Sequence, residues 1–351
     1  MTARNWLRFS PVFLASGLLL GQPSQIAGPV SGYVFDRTAG RLRPILGTPG
    51  ASLIGDPLDL GFGVTAATVA PRQDTAFVTA GDRTLHLFRI QAGAVTEKPL
   101  NGLNISPERV VFSPTGTAAA LYAQGSVQIV TGLPDSPAIA GSLDVSAAGV
   151  PDALALSDDA TVLLWSAGGS VQMFGSGAGP GKLTDTAGAA LVAFAPGRLD
   201  AAVADPSGAG LVLFRNLTGS VDSQVLAAPD DTIRSGSAIA FSADGQRLLL
   251  ASSAAQSVTA FDLTTGSRAA IACSCSPAAL TPMGSLFRLN EVAGDPLWLL
   301  DDQPGTSRIV FVPPVTNQER QLPARTPLPR FPSRSLETTA PELRGRAPQS
   351  E

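Results

Sequence analysis

Residues 238–266 read AIAFSADGQRLLLASSAAQSVTAFDLTTG, and this stretch decides how the rest of the chain is interpreted. It contains three short apolar segments separated by turn residues. Gly245 and Gly266 fall where tight turns need a positive φ, which glycine adopts without strain. Short apolar segments joined by such turns are typical of antiparallel strands. The stretch therefore predicts a small antiparallel sheet.

The same unit recurs along the chain. An apolar residue precedes a turn at intervals of 38 to 47 residues, at Val69, Phe112, Leu156, Phe194, Phe241 and Leu280. A period of about 40–45 residues with four short strands is typical of a β-propeller, in which each repeat forms one blade. No long segment has the i, i+3, i+4, i+7 apolar spacing of a helical repeat. We predict an all-β ring of four-stranded antiparallel blades.

The predicted propeller covers residues 28–312, a length that divides into seven repeats, with six as the alternative. Residues 33–40 match residues 259–266, so we expect them to form the outer hairpin of a blade without inner strands of its own. Strands from both chain ends commonly share one blade at the closure of such a ring. Residues 51–62 are expected to add strands to the same irregular blade.

Both ends of the chain differ from the repeats. Arg4 and Arg8 precede an apolar run over residues 9–20, which is shorter than the ~20 residues of a membrane-spanning helix. We therefore predict that residues 1–27 are a signal peptide, with an uncleaved anchor as the alternative. The protein is then periplasmic or secreted, with no transmembrane span after cleavage. Residues 313–351 are rich in Pro and Arg without apolar periodicity, which predicts a disordered tail.

The turn motifs resemble those of a known group. Residues 112–116 (FSPTG), 241–245 (FSADG) and 258–266 (VTAFDLTTG) resemble the WD-repeat-like and YVTN-type β-propellers of bacteria. The chain lacks the Trp-Asp dipeptide and the Gly-His pair of true WD repeats. The resemblance implies a ring-shaped platform that most often serves protein contacts, with a minority of enzymes such as lactonases.

Composition and residue types argue against several functions. The formal net charge of −4 gives no reason to expect nucleic acid, which favours clustered positive charge. His86 is the only histidine, so no His–His metal site exists, and we interpret it as a surface or inter-blade residue of an outer strand. No G-x-S-x-G nucleophile motif appears. We therefore predict no catalytic, cofactor-binding or metal-binding residues.

Cys273 and Cys275 are the only cysteines. On an extended strand their Cβ atoms are too far apart for a relaxed bridge, whereas a kinked Cys-Ser-Cys segment permits a disulfide in an oxidising compartment. We expect a local disulfide or buried thiols in preference to a metal site, because two ligands do not make a zinc site. The acidic pairs at 158–159, 230–231 and 301–302 lie at predicted turns and lack the spacing of a calcium loop.

These observations lead to one functional prediction and two alternatives. The prediction is an exported, non-enzymatic, monomeric propeller that acts as a scaffold for an unidentified protein partner. The first alternative is a hydrolase or lactonase-like enzyme with carboxylate and Arg groups converging in the central channel. The second is a protein that binds a small ligand or a sugar in the same funnel. Charged side chains from several blades meeting at one mouth of the channel would favour the enzyme.

Overall fold

The computed structural model describes residues 28–175, 178–208, 210–303 and 305–315. The predicted signal peptide and the predicted tail beyond Val315 lie outside these residues. The described strands belong to a compact unit that ends at Pro314. Among the described residues, no helix combines the length and the apolar character needed to cross a bilayer.

The described residues form seven antiparallel sheets, which we number as blades 1 to 7 in chain order. Blade 1 has three strands: β1 (Val30–Asp36), β2 (Arg41–Thr48) and β3 (Ala51–Ile54). Blade 2 contains β4 (Val64–Val69), β5 (Thr75–Ala80), β6 (Leu85–Gln91) and β7 (Ala94–Lys98). Blade 3 contains β8 (Arg109–Phe112), β9 (Ala119–Ala123), β10 (Ser126–Thr131) and β11 (Ala138–Asp144). Blade 4 contains β12 (Ala153–Leu156), β13 (Val162–Ala167), β14 (Ser170–Gly175) and β15 (Ala178–Asp185).

The remaining three blades follow the same order. Blade 5 contains β16 (Leu191–Phe194), β17 (Ala201–Asp205), β18 (Gly210–Arg215) and β19 (Asp222–Ala227). Blade 6 contains β20 (Gly236–Phe241), β21 (Arg247–Ser252), β22 (Ser257–Asp262) and β23 (Arg268–Ala272). Blade 7 contains β24 (Thr281–Met283), β25 (Leu286–Arg288), β26 (Leu297–Asp301) and β27 (Arg308–Val312). The described helical structure is a 3₁₀ turn, Ser146–Ala148, and α1, Asp231–Arg234.

The core lies between consecutive blades. Trp165 of blade 4 lies in one buried cluster with Tyr122 of blade 3. Leu248 of blade 6 lies in another with Leu211 of blade 5. Blade 7 meets blade 1 through a parallel bridge between Val292 and Asp36, which closes the ring. The prediction of a seven-bladed propeller is therefore confirmed, and the six-bladed alternative is wrong.

The repeated F-S-x-x-G motif has a structural reason. The buried Ser113, Ser157 and Ser242 each follow the first strand of a blade. Their hydroxyl oxygens accept a hydrogen bond from the backbone N–H five residues later, at 3.2, 3.0 and 2.9 Å. This bond holds the turn that leads into the second strand. The predicted positive φ is present at Gly245, where it is 67°, and at Gly266, where it is 71°.

Blade 1 departs from the expected arrangement. The N–H of Tyr33, near the start of β1, donates to the side chain of Gln73, which follows β4. A Cβ on Gly40, beyond the end of β1, would lie 2.9 Å from the carbonyl oxygen of Val64, where β4 begins. Strand β1 therefore runs opposite to β4, in the direction of a second strand. Tyr33 and Phe35 also pack beside second-strand residues of blade 2.

Two expectations about blade 1 need correction. Residues 33–40 were expected to form an outer hairpin, but they belong to β1 and the β1–β2 turn, at the inner side of the sheet. The expected sharing of strands between the chain ends is also wrong for the described residues, because all three strands come from residues 30–54. The physical reason is that Tyr33 and Phe35 fill the apolar space between blades 1 and 2. The expectation that residues 51–62 add a strand is confirmed by β3.

Turns between first and second strands meet at one end of the blades, which we call the turn end. Asp158 of blade 4 joins three blades there. One carboxylate oxygen accepts the N–H of Thr115 at 2.7 Å and its hydroxyl at 2.6 Å, and the other accepts the N–H of Gly197 at 2.7 Å. The N–H of Gly284 in blade 7 donates to the carbonyl of Pro71 in blade 2 at 2.7 Å. Blades 7 and 2 are thus bonded past the three-stranded blade 1.

The hydrogen bonds that Asp158 accepts from blades 3 and 5 predict an effect on stability. Replacing Asp158 with Ala leaves the N–H groups of Thr115 and Gly197 without their charged acceptor, so the free energy of unfolding should fall by about 2–4 kcal/mol. The control is Asp159→Ala, because Asp159 bonds only within its own turn, to Ser157 and Thr161. The control should lose about 1 kcal/mol. Urea denaturation measures both, and equal losses would contradict a role for Asp158 between blades.

Candidate functional site

The central channel carries little charge along its first strands. Among the described first strands of blades 2 to 7, one residue is charged, Arg109 of β8. Its guanidinium donates to the carbonyl oxygens of Pro151 and Asp152, both at 3.0 Å. This side chain therefore ties blade 3 to the linker before blade 4. The first strands supply no carboxylate that a catalytic site in the channel would need.

Charged residues do gather at the seam between blades 7 and 1. The Arg288 guanidinium donates to both carboxylate oxygens of Glu291, at 3.0 and 2.8 Å, and Arg37 lies 3.8 Å from the same carboxylate. Burial lowers the pKa of Arg288, although the Glu291 charge opposes this shift. Asp36 and Arg43 form a buried ion pair at 3.1 Å in the same seam. Only the Arg37–Glu291 contact crosses from blade 1 to blade 7, whereas the other two pairs each lie within one blade, so we interpret the three contacts as structural.

A cavity of about 610 Å³ opens at the turn end beside the same seam. Residues from three blades line it, including Tyr33 of β1, Gln73 of blade 2 and Ser285 of blade 7. Burial raises the pKa of Tyr33. Arg72, which also lines the cavity, is paired with Asp74 at 3.0 Å. The cavity thus presents mainly neutral polar groups and backbone.

A second cavity, about 460 Å³, lies between blades 6 and 7, and we call it the 6–7 groove. Its polar end is formed by Asp244, Arg247, Asp262 and Ser307, and its wall by the small side chains Ala269 and Ala270 with Ile271. The turns that carry these polar residues join first to second strands or third to fourth strands. Because consecutive strands of a blade run in opposite directions, both kinds of turn lie at the turn end. The groove therefore opens at the turn end, like the seam cavity.

The carboxylates of the groove are ionised at neutral pH. Burial alone would raise the pKa of Asp244, but hydrogen bonds from Ser242 and Gln246 outweigh it, so that the pKa lies below its usual range. Backbone and side-chain hydrogen bonds from Thr265, together with the N–H of Thr264, lower the pKa of Asp262. Both side chains use one oxygen for these bonds, Oδ1. Two negative charges therefore face the groove.

The Arg247 charge also lowers the pKa of both carboxylates, but the ion pair that Arg247 forms is with Asp302. Its guanidinium lies 2.9 Å from a carboxylate oxygen of Asp302, whose side chain is 1% exposed. It also donates to the hydroxyl of Ser307 at 3.1 Å and to the backbone carbonyl of Asp302 at 2.9 Å. Burial raises the pKa of Asp302, and the Arg247 charge partly offsets this. The groove keeps a net negative charge as a result.

The residues singled out in the sequence are dispersed over the ring. His86 lies half-buried on β6, with Nδ1 2.7 Å from a Glu97 oxygen and the Thr84 hydroxyl 2.9 Å from Nε2. Asp230 accepts the N–H of Ile233 at the start of α1. Within the described ranges no group of three or more His, Cys, Asp or Glu side chains is placed to hold a metal ion.

The Cys-Ser-Cys segment lies in the linker between β23 and β24. A disulfide joins Cys273 to Cys275, with their Cα atoms 5.0 Å apart, which is within the usual range for such a bond. The kink brings together side chains that a straight strand would hold apart.

Sequence reasoning missed the groove. Asp244 and Asp262 lie in the turn motifs at residues 241–245 and 258–266, which by themselves indicate only turns. These two residues belong to two different hairpins of blade 6, and Asp302 and Ser307, the partners of Arg247, belong to blade 7. The sequence likewise places the pair at 301–302 at a predicted turn. No spacing along the chain indicates that these residues meet, since the packing of adjacent blades brings them together.

Solved structures share this fold. A protein of unknown function from Desulfotomaculum acetoxidans is 13% identical, with a TM-score of 0.54 over 81% of this chain and 100% of that chain. Two proteins provisionally assigned as 6-phosphogluconolactonases, from Bacteroides uniformis and Bacteroides fragilis, are 13% identical with TM-scores of 0.54. They cover 80% and 81% of this chain and 95% and 94% of their own. The sequence matches no protein-family model and no curated protein. The likeness is one of fold.

The buried pair beneath the groove predicts a large stability effect. Replacing Asp302 with Ala leaves the largely buried guanidinium of Arg247 without its carboxylate, so the free energy of unfolding should fall by about 3 kcal/mol. The control is Asp231→Ala, which breaks an exposed pair with Arg234 and should cost below about 0.5 kcal/mol. Urea denaturation of both variants measures these changes in the free energy of unfolding. A loss at Asp302 as small as in the control would show that the pair does not support the groove.

Proposed function

We propose that the protein is an exported, non-enzymatic propeller that binds a protein partner at the turn end. The observation that supports this most directly is the 6–7 groove, a cavity with two ionised carboxylates and no free cation among its described lining residues. Arg247 of blade 6 bonds to Asp302 and Ser307 of blade 7 beneath the groove, and such preformed contacts lower the entropic cost of association.

The chemistry of the groove specifies the kind of partner segment. Asp244 and Asp262 favour a cationic side chain, Lys or Arg, from the partner. The wall formed by Ala269, Ala270 and Ile271 leaves room for the apolar stem of that side chain. We therefore propose a basic segment of a protein that is present in the same compartment, periplasmic or extracellular.

We further propose that the repeats are of the WD-repeat-like or YVTN-like type. The motif residues that carry this resemblance have one structural role, because Ser113 and Ser242 close their turns with the same hydrogen bond. The absence of Trp-Asp and Gly-His pairs from the sequence favours the looser group of such repeats over true WD repeats.

A lactone hydrolase is the rival function. Two proteins of the same fold carry a provisional assignment as 6-phosphogluconolactonases, and the seam cavity offers a place for a small molecule. The channel-facing first strands supply one charged residue, Arg109, which is committed to the carbonyls of Pro151 and Asp152. We therefore rank the scaffold first. Hydrolysis of sugar lactones by the purified protein, well above the uncatalysed rate, would reverse this order.

The proposed site predicts a loss of binding. The double substitution Asp244→Asn with Asp262→Asn removes both charges and keeps an oxygen for the turn hydrogen bonds. We expect it to weaken partner binding by about tenfold, or ~1.4 kcal/mol. The matched control is Asp144→Asn, because Asp144 also accepts a backbone N–H, from Ser146, and lies at the end of β11, opposite to the turn end.

Affinity capture from a cell-envelope extract, with mass spectrometry, identifies the partner, and titration of that partner measures the effect. Equal binding by the double variant and by the wild-type protein would exclude the groove as the site. No enrichment over an unrelated exported propeller would remove the support for a scaffold.

The lowered pKa values of the groove carboxylates also predict the pH dependence of binding. Asp244 and Asp262 protonate only below the usual carboxyl pKa of about 4, so their charges should not change from pH 7 to about pH 4, and their protonation should weaken binding below that. Raising the salt concentration should weaken binding at every pH in that range, because ions screen exposed charges. Isothermal titration at several pH values measures this. A decline between pH 7 and pH 5 would point instead to Asp302, whose raised pKa lets it protonate first and leave the Arg247 charge unopposed beside the groove.

A further inference from the structure

The Cys273–Cys275 disulfide has no evident role in holding the fold together. It closes a loop of three residues, and the entropy that a disulfide removes from the unfolded chain grows with loop length, so this bond restrains the chain very little. Structural disulfides that stabilise a domain usually join segments that are distant in sequence. This one joins neighbours within one linker.

The linker is held in place by other interactions. The N–H of Cys273 donates to the carbonyl of Gln256 at 2.8 Å. The carbonyl of Pro277 accepts hydrogen bonds from the hydroxyls of Ser237 and Ser253, both at 2.7 Å. The N–H of Ala278 donates to the carbonyl of Leu289 at 3.0 Å. These bonds fix the linker on both sides of the disulfide, so its path does not depend on the S–S bond.

The two sulfur atoms differ in their surroundings. Cys273 is 8% exposed and belongs to the apolar cluster between blades 6 and 7. Cys275 is half-buried at the edge of that cluster, and its neighbours Ser274 and Ser276 are exposed. A thiolate that approaches from solvent therefore reaches Cys275 before Cys273. The asymmetry assigns different roles to the two residues.

We propose that this disulfide is a thiol–disulfide exchange site for dithiols, with Cys275 as the sulfur that is attacked and Cys273 as the buried leaving group. A thiolate of the dithiol attacks Cys275 Sγ, the Cys273–Cys275 bond breaks, and Cys273 leaves as a thiolate that takes up a proton. The second thiol of the dithiol loses its proton and attacks its own sulfur in the mixed disulfide, which releases Cys275 as a thiolate that is then protonated. The dithiol is oxidised to a disulfide by two electrons, and the cysteine pair is reduced to two thiols.

The reverse reaction uses the same residues. In the reduced protein Cys275 is the accessible thiol: it loses its proton and attacks an external disulfide, whose S–S bond breaks and releases one sulfur as a thiolate that takes up a proton. Cys273 then loses its proton and attacks Cys275 Sγ, which re-forms the Cys273–Cys275 bond and releases the second external sulfur as a thiolate that is protonated. Because the linker is anchored without the S–S bond, both redox states should keep the propeller intact. The proposal is independent of the 6–7 groove and of partner binding there.

The first test measures exchange in the folded protein. The full chain is incubated with dithiothreitol without denaturant, quenched with acid and alkylated with iodoacetamide, and its mass is measured. We expect both thiols to be labelled and Tm to change by no more than about 2 °C. Addition of oxidised dithiothreitol should then restore the disulfide. Reduction that requires denaturant, or a loss of folded structure on reduction, would overturn the proposal.

The second test separates the two cysteines. Cys273→Ser leaves Cys275 as the only thiol, and Cys275→Ser leaves Cys273. We expect Cys275 in the first variant to react with oxidised glutathione at least tenfold faster than Cys273 in the second. Equal rates, or a faster reaction of Cys273, would contradict the assigned roles. The double variant with both serines should match the Tm of the wild-type protein, and it should form no mixed disulfide.

Discussion

The second strands of the blades have no solvent-exposed face, and the ring depends on that constraint. In β13, Val162–Ala167, every residue is buried, and the same holds for β9 and β17. A four-stranded sheet with such a strand cannot bury both faces by itself, so each blade needs a neighbour on either side. The ring is the arrangement in which every blade has two neighbours, and it leaves no blade with an uncovered apolar face.

The same constraint explains why blade 1 can be irregular. It has three described strands, and β1 takes the direction and the packing of a second strand. Tyr33 and Phe35 therefore cover the apolar face of blade 2, while the bridge from Asp36 to Val292 covers the seam with blade 7. Blade 1 thus contacts both neighbours with three strands, and it lacks a first strand at the channel. The seam cavity opens beside β1.

The arrangement of charge follows from the architecture as well. Most charged groups near the blade interfaces are paired, as Arg247 is with Asp302, because an unpaired charge is costly where neighbouring blades exclude water. At the turn end, Asp residues cap the turns and so remain ionised. Where two blades diverge outward, as blades 6 and 7 do, such capping residues from separate hairpins line one groove. The groove is thus a consequence of turn chemistry and blade geometry together.

The sequence by itself determined the repeat, the strand content and the position of the turns, because these depend on local patterns such as F-S-A-D-G at residues 241–245, and it favoured seven blades over six. It failed at blade 1, where residues 33–40 resemble a third strand and its turn locally but pack as a second strand, since the space between blades decides that position. The tertiary structure alone brought Asp244 and Asp262 beside Asp302 and Ser307, and kinked the linker at Cys273 and Cys275. The period along the chain sets which residues form a blade, whereas contacts between blades set which side chains meet. No local pattern contains that second kind of information.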